Sequence, residues 1–152
     1  MSLNTEMKEN LMKIVMQEVE VAIKEGNSPF AAILIDEHGN IIEKAHNTAK
    51  TMCNPVLHAE INLISKACKK LNTMDLSKYY IMSNAWSCSM CMSACIKANI
   101  HNFIFGAPSE PNMNPNVTIF EIKEKSTNEL NIEIGILKEE CLYQIHQSNQ
   151  IF

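Results

Sequence analysis

Hydrophobic residues follow a helical period at the start of the chain. Between residues 4 and 25 they recur every three or four positions, which predicts one amphipathic helix that ends at Gly26. The next hydrophobic stretch is continuous, so residues 30–35 predict a buried strand. A polar turn at residues 37–40 precedes a second strand at 41–45, and the two strands are expected to form a hairpin.

Helical and strand patterns alternate through the remainder of the chain. The predicted elements are, in order, a helix over residues 57–72, a strand at 79–82, a helix that includes residues 92–98, a strand at 102–105, an edge strand at 132–134 and a helix at 137–147. This alternation indicates an α/β protein with parallel pairing in the later half of the sheet and helices on both faces. Prolines and asparagines dominate residues 107–118, which predicts a loop long enough to act as a lid or a contact surface.

Two short motifs carry the side chains of a metal site. The first is His58-Ala59-Glu60, and the second is Cys88-Ser89-Met90-Cys91. One imidazole and two thiolates suit Zn²⁺, and three protein ligands leave a tetrahedral ion one position for water, as in catalytic zinc sites. Glu60 is too close to His58 in sequence to be an obvious fourth ligand, and it is well placed to carry protons beside the metal.

Both motifs lie where helices are predicted to begin. Asn54-Pro55 precedes His58 and supplies a capping residue followed by proline. Cys88 and Cys91 precede the helical stretch at 92–98, where the helix dipole and free N–H groups favour thiolates. We therefore expect two helix starts to converge on one zinc ion.

Length and composition are those of one compact domain over residues 1–152. The chain is 46% hydrophobic and 20% charged, which is sufficient for a core of ordinary size. No apolar stretch approaches the roughly 20 residues of a membrane span, and the N-terminus lacks a secretory pattern, so we expect a cytoplasmic protein that does not enter a membrane. The six cysteines are then expected to stay reduced and to bind metal or pack in the core.

The charge balance argues against a nucleic-acid partner. The formal net charge is −4, and all 13 basic residues are lysines. Arginine binds phosphates and guanine edges with two parallel hydrogen bonds, and the sequence contains no arginine. A small-molecule substrate is therefore expected, while a local lysine patch leaves nucleic acid open as an alternative.

The two motifs resemble those of the cytidine-deaminase-like zinc deaminase superfamily, and most closely those of bacterial guanine deaminases. The resemblance extends to Ser28-Pro29-Phe30, Asn47, residues 54–57, residues 66–69 and Phe105-Gly106-Ala107. It implies a three-layer α/β/α fold with a central mixed sheet of five strands. It also implies a Zn²⁺ cofactor and a homodimer, because the superfamily is generally oligomeric.

The resemblance further implies a zinc-dependent aminohydrolase that acts on a free nucleobase or nucleoside of the guanine type and releases ammonia. Glu60 would be the catalytic residue that moves a proton from zinc-activated water to the ring and then to the departing ammonia. Asn47 would hydrogen-bond the edge of the base, and Phe30 or Trp86 would cover its face. The backbone N–H of Ala59 would orient the tetrahedral adduct.

Two departures from the family pattern concern the pocket and the substrate. Trp86 and Ser87 stand where the superfamily usually has Glu-Pro before the first cysteine, and the loss of proline restores a backbone N–H. Guanine deaminases carry an acidic residue in the loop after the fourth strand, and this chain has none around residues 113–115.

Several alternatives remain open from the sequence. A tRNA adenosine deaminase has similar core motifs. A non-catalytic zinc-binding pseudoenzyme is the other alternative: the altered Trp86-Ser87 turn would allow an inactive site, and a fourth side chain such as Cys53 would close the metal site into a structural one. Trp86 either lines the pocket or serves packing. The site would be closed by the loop at 107–118 or by the C-terminal Phe152.

Overall fold

A mixed sheet of five strands lies at the centre of the part of the chain that the computed structural model describes, residues 3–148. The strands are β1 (Ala31–Ile35), β2 (Ile41–His46), β3 (Tyr80–Ala85), β4 (Asn102–Ala107) and β5 (Asn131–Glu133). Their order in the sheet is β2-β1-β3-β4-β5. β1 is antiparallel to both β2 and β3, whereas β3, β4 and β5 are parallel. The predicted mixed sheet, with parallel pairing in its later half, is therefore confirmed.

Helices cover both faces of the sheet. They are α1 (Thr5–Lys24), α2 (Ala59–Leu71), α3 (Ser89–Lys97), α4 (Ile119–Lys125) and α5 (Lys138–Gln147). Successive side chains of a strand point to opposite faces. In β1, Ile33 and Ile35 accordingly join the core formed with α1 and α5, and Ala32 and Leu34 join the core formed with α2, α3 and α4. This arrangement confirms the three-layer α/β/α fold. Within residues 3–148 no helix combines the length and the apolar character that crossing a membrane would need.

Helix α4 was missed by the hydrophobic pattern, because it is short. Its signal is a capping box: the backbone N–H of Glu121 donates to Oγ1 of Thr118 at 3.2 Å, and the N–H of Thr118 donates to Oε1 of Glu121 at 3.0 Å. A threonine followed three residues later by glutamate is readable from sequence. The helix matters for the site because Phe120, on α4, contacts Trp86.

Strand β3 is longer than predicted, because buried polar side chains continue it. The prediction ended at Met82, before Ser83 and Asn84, yet these two residues are only 2% and 0% exposed. The Ser83 hydroxyl donates to the Ala31 carbonyl oxygen at 3.1 Å. The Asn84 amide accepts from the Ala31 N–H and donates to the Pro29 carbonyl oxygen, both at 3.0 Å. Paired in this way, polar groups are tolerated inside the sheet.

Glycine is required at position 106 for close packing of β4. A Cβ atom there would lie 2.7 Å from Sγ of Cys141 on α5 and 2.8 Å from the carbonyl oxygen of Asn84. Both distances are far below ordinary contact, so a side chain would separate α5 from the sheet. The end of β4 and the first turn of α5 thereby stay close to each other, which matters for the pocket wall described below.

We expect Asn84→Ala to destabilise the fold by about 1–3 kcal/mol, because it leaves the buried Ala31 N–H and Pro29 carbonyl without partners. Urea unfolding monitored by circular dichroism measures the change. Asn128→Ala alters an exposed asparagine and should change the unfolding free energy by less than about 0.5 kcal/mol. Equal effects of the two substitutions would contradict the role assigned to Asn84.

Candidate zinc site and active-site pocket

The two predicted helix starts meet at one point of the structure. His58 is the N-cap of α2 and Cys88 is the N-cap of α3, and neither side chain hydrogen-bonds its own helix terminus. Their side chains instead approach each other and Cys91. Nδ1 of His58 lies 3.6 Å from Sγ of Cys88 and 3.5 Å from Sγ of Cys91.

These separations fit a tetrahedral zinc ion. A Zn–N bond of about 2.05 Å and a Zn–S bond of about 2.3 Å, set at the tetrahedral angle, separate nitrogen from sulfur by about 3.6 Å. The ligand atoms of His58, Cys88 and Cys91 all lie within 4.8 Å of one another, and no other such group of three occurs among residues 3–148. Donor chemistry and geometry both match Zn²⁺, and three protein ligands leave one position for water or substrate.

Cys53 does not close this site. It is exposed and lies outside the group of converging ligand atoms. Cys95 and Cys141 are fully buried in the two cores, and Cys68 packs at the edge of one of them. The alternative of a structural zinc completed by Cys53 therefore has no support in the described structure.

The ligands themselves form a coupled electrostatic group. A hydrogen bond from the Cys91 side chain, aided by His58, lowers the pKa of Cys88 to about 4. The same hydrogen bond, together with burial, raises the pKa of Cys91. The hydrogen bond to Cys88 raises the pKa of His58. Because the thiolate is the form that binds metal, the lowered pKa of Cys88 favours ligation at neutral pH.

Glu60 lies beside these ligands, in the first turn of α2. Its side chain is buried, with the residue 6% exposed, and burial raises the pKa of the carboxyl group above its ordinary value. A hydrogen bond from the Ser87 hydroxyl to Oε2, 2.5 Å long, opposes that shift. A carboxyl group with a raised pKa suits proton transfer near neutral pH.

A pocket of about 440 Å³ opens beside Glu60. Its walls include the motif residues His58, Glu60 and Cys88, the predicted contacts Phe30, Asn47 and Trp86, several residues of the loop after β4, and Ile145 of α5. The volume is within the range of small-molecule pockets. The structure thus brings together six of the eight residues singled out from the sequence, and Cys91 joins them through the ligand group.

Asn47 directly follows β2. Its side chain makes a hydrogen bond within the turn, and the residue also lines the pocket. Oδ1 of Asn47 accepts from the Ala49 N–H at 3.0 Å, and the Asn47 N–H donates to the Phe30 carbonyl oxygen at 3.0 Å. Its Nδ2 group has no hydrogen-bond partner among the described residues and borders the pocket. The turn geometry therefore leaves the amide N–H groups available for a ligand.

Asn62 positions this turn, and sequence reasoning missed it. Nδ2 of Asn62 donates at 2.9 Å both to the His46 carbonyl oxygen and to Oγ1 of Thr48. The backbone N–H of Asn62 donates to the carbonyl oxygen of His58. One residue thus connects the first turn of the zinc helix to the segments on both sides of Asn47. Its spacing of four residues from His58 was the one available signal.

Trp86 serves both of the roles that the sequence left open. The indole lines the pocket, and its ring meets Phe120 edge to face with centroids 5.4 Å apart. Phe30 is half-buried, lines the pocket and also packs against the α1 core. Ala59 is fully buried as the first residue of α2, so only its backbone N–H, one of the first-turn donors without an intrahelical partner, is relevant to the site.

Glu110 is a pocket residue that the sequence analysis did not identify. The sequence has no acidic residue at positions 113–115 of the loop at 107–118. The structure instead places Glu110, from the same loop, in the pocket wall. Oε1 of Glu110 lies 4.0 Å from Nε2 of His146 on α5. The loop at 107–118 lines the pocket, and its closure of the site stays a prediction. Phe152, the other residue considered for closure, lies outside the described residues.

Comparison with known proteins gives consistent matches across the chain. Residues 5–107 match the model of the cytidine and deoxycytidylate deaminase zinc-binding region. A tRNA-specific adenosine deaminase of Aquifex aeolicus is 33% identical over 79% of this chain and 78% of the relative. One of Bacillus subtilis is 30% identical over 86% of this chain and 81% of the relative. A structure from a study of A-to-I editing by tRNA:A34 deaminases superposes with a TM-score of 0.78 at 21% identity, covering 88% of this chain and 96% of that one.

These matches correct the expected substrate. A free nucleobase or nucleoside of the guanine type was predicted, but the guanine deaminase of Bacillus subtilis matches over only 43% of this chain and 42% of its own length, at 35% identity. The prediction was wrong because the motifs common to both groups report the chemistry and leave the substrate undetermined. The prediction of a small-molecule partner from net charge is not confirmed, since net charge sums the whole surface and does not describe the local charge where a partner binds.

Zinc binding to these three ligands predicts the metal content of variants. We expect about one zinc ion per chain in the purified protein and its loss in Cys91→Ser, because a serine hydroxyl is a much poorer zinc ligand than a thiolate. Metal analysis by mass spectrometry measures both. Cys53→Ser is the matched control, since Cys53 is exposed and outside the ligand group. Zinc retained in Cys91→Ser, or lost in Cys53→Ser, would contradict the ligand set.

Burial of Glu60 predicts a pH-dependent stability difference. With metal removed by a chelator, Glu60→Gln should melt at a higher temperature than the unsubstituted protein at pH 8. Burial raises the pKa of Glu60 in the folded state. The contribution of the Glu60 side chain to stability is therefore complete below the pKa of the unfolded state, and it is lost as the pH rises through the pKa of the folded state. The gap between the two melting temperatures should therefore shrink toward pH 4. A difference in melting temperature that stays constant between pH 4 and pH 8 would contradict the raised pKa of Glu60.

Proposed function

The chain belongs to the cytidine and deoxycytidylate deaminase zinc-binding family, and from that premise we propose that this zinc-dependent hydrolytic deaminase converts adenosine in transfer RNA to inosine. The observation that carries the proposal is the similarity, over about four fifths of both chains, to two proteins named tRNA-specific adenosine deaminase. The reaction replaces the amino group at C6 of adenine with oxygen from water and releases ammonia.

The three ligands would hold zinc at the edge of the pocket. Zinc in such a site supplies a nucleophile at neutral pH by lowering the pKa of water. His58 and the two cysteines complete the ligand set while leaving an open position, as hydrolysis requires.

Glu60 would carry the protons of the reaction. In the ionised form it accepts a proton from the attacking water and delivers it to a nitrogen of the adenine ring, which makes C6 more electrophilic. Glu60 would then take the second proton of the former water from the hydroxyl on C6 and deliver it to the amino group, so that C6 becomes a carbonyl as the C–N bond breaks and ammonia departs. The raised pKa of the buried carboxyl group supports both roles, since burial makes the protonated form more accessible than it is in an exposed glutamate.

The pocket walls would orient the base. Apart from its amino group, adenine offers only hydrogen-bond acceptors, so the Nδ2 donor of Asn47 is a suitable partner for a ring nitrogen. Phe30 and Trp86 would cover the faces of the ring, because aromatic side chains stack on bases extruded from RNA. The first-turn N–H of Ala59 would stabilise charge that develops at the reacting carbon. Lysines would supply the phosphate contacts, since the chain has no arginine.

Inosine formation in tRNA tests this proposal. Purified protein is incubated with bacterial tRNA that lacks inosine, and inosine is measured by mass spectrometry after digestion, together with released ammonia. We expect inosine from the unsubstituted protein and a loss of about 10²- to 10⁴-fold in Glu60→Ala, because one general acid–base group is removed. Glu124→Ala, which removes an exposed carboxylate of α4, serves as the matched control.

Two outcomes would contradict the proposal. Ammonia release from free adenine, guanine or their nucleosides without inosine in tRNA would refute the substrate. Inosine formation that is unchanged in Glu60→Ala would refute the role of Glu60.

A further inference from the structure

The Ser87 hydroxyl makes a short contact with Glu60. It donates a hydrogen bond of 2.5 Å to Oε2 of the carboxyl group. Ser87 is 2% exposed and Glu60 is 6% exposed, so water does not compete freely for this contact.

This hydrogen bond joins the two helix starts of the site. Glu60 belongs to the first turn of α2, whereas Ser87 comes from the segment between β3 and α3 and directly precedes the ligand Cys88. Among residues 3–148, Ser87 is the one side chain that hydrogen-bonds the Glu60 carboxyl group. The backbone N–H of Glu60 also hydrogen-bonds this carboxyl group. A glutamate side chain has three rotatable bonds, and the Ser87 contact adds a second restraint on the orientation of the carboxyl group. Ser87 thus restricts the Glu60 side chain from a position directly before the ligand Cys88.

We propose that Ser87 is a positioning residue that holds Oε2 of Glu60, so that Oε1 is the oxygen that exchanges protons in the pocket. A hydroxyl group can donate to Oε2 when the carboxyl group is ionised and also when Oε1 carries a proton, because the unprotonated oxygen still accepts. The contact therefore persists through the whole cycle of proton transfer. Ser87 itself neither gains nor loses a proton. The inference rests on the proposed role of Glu60.

Kinetics of Ser87→Ala provides the first test. On the tRNA substrate we expect kcat to fall about 10- to 100-fold, the effect of losing one hydrogen bond to a charged group, while KM stays within about twofold. Zinc content and melting temperature should be close to those of the unsubstituted protein. Ser87→Thr keeps the hydroxyl and should recover most of kcat. A serine required only for packing would not produce this separation of kcat from KM together with recovery by threonine.

Ser89→Ala is the matched control. Ser89 lies on the other side of Cys88 in sequence, and its hydroxyl makes no hydrogen bond to any residue in the described range 3–148. The same chemical change at this position should leave kcat within about twofold. An equal loss in Ser87→Ala and Ser89→Ala, a loss explained by missing zinc, or unchanged kcat in Ser87→Ala would overturn the proposal.

A second readout does not depend on activity. In the zinc-loaded protein labelled with ¹³C at glutamate carboxyl groups, the Glu60 signal is identified by its absence in Glu60→Gln. We expect this signal to move in Ser87→Ala and to stay near its original position in Ser87→Thr and Ser89→Ala. An unmoved Glu60 signal in Ser87→Ala overturns the proposal. If no tRNA is deaminated at all, the proposed function fails, and this measurement still decides whether Ser87 holds Glu60.

Discussion

The convergence of two helix N-termini on three ligand atoms is the constraint on which the site depends. His58 caps α2 and Cys88 caps α3, and both side chains face each other and Cys91 at separations that tetrahedral zinc requires. Helix N-termini favour negative charge, so the thiolates and the carboxylate of Glu60 collect where the backbone stabilises them. A displacement of either helix would disturb the ligand set and the position of Glu60 together.

The burial of Glu60 destabilises the fold when the carboxyl group is ionised. A carboxylate removed from water loses hydration, and the raised pKa of Glu60 reports that loss. The Ser87 hydroxyl partly offsets it with a short hydrogen bond. Active sites commonly hold groups in environments that oppose stability, because reactivity requires them there. The surrounding layers of helix and sheet supply the stability that permits this arrangement.

The pocket wall includes parts of the chain remote from the two motifs. The loop after β4 contributes Glu110 to the pocket wall, α5 contributes Ile145, and Phe120 of α4 supports Trp86. These segments come from the last third of the chain, beyond the 5–107 region that matches the family model. The two motifs therefore describe the metal chemistry, whereas part of the pocket wall lies outside them and outside the matched region.

Local patterns in the sequence were sufficient for most of the elements and for the candidate ligands. Hydrophobic periodicity predicted most helices and strands, since burial of one face imposes that period, and His58 with the CxxC motif predicted zinc through ligand chemistry alone. Tertiary structure decided the rest. The short hydrogen bond between Ser87 and Glu60, the anchoring of the Asn47 turn by Asn62 and the arrival of Glu110 in the pocket all join residues that no local period relates. Such contacts depend on how the layers pack, and packing is a property of the folded chain as a whole.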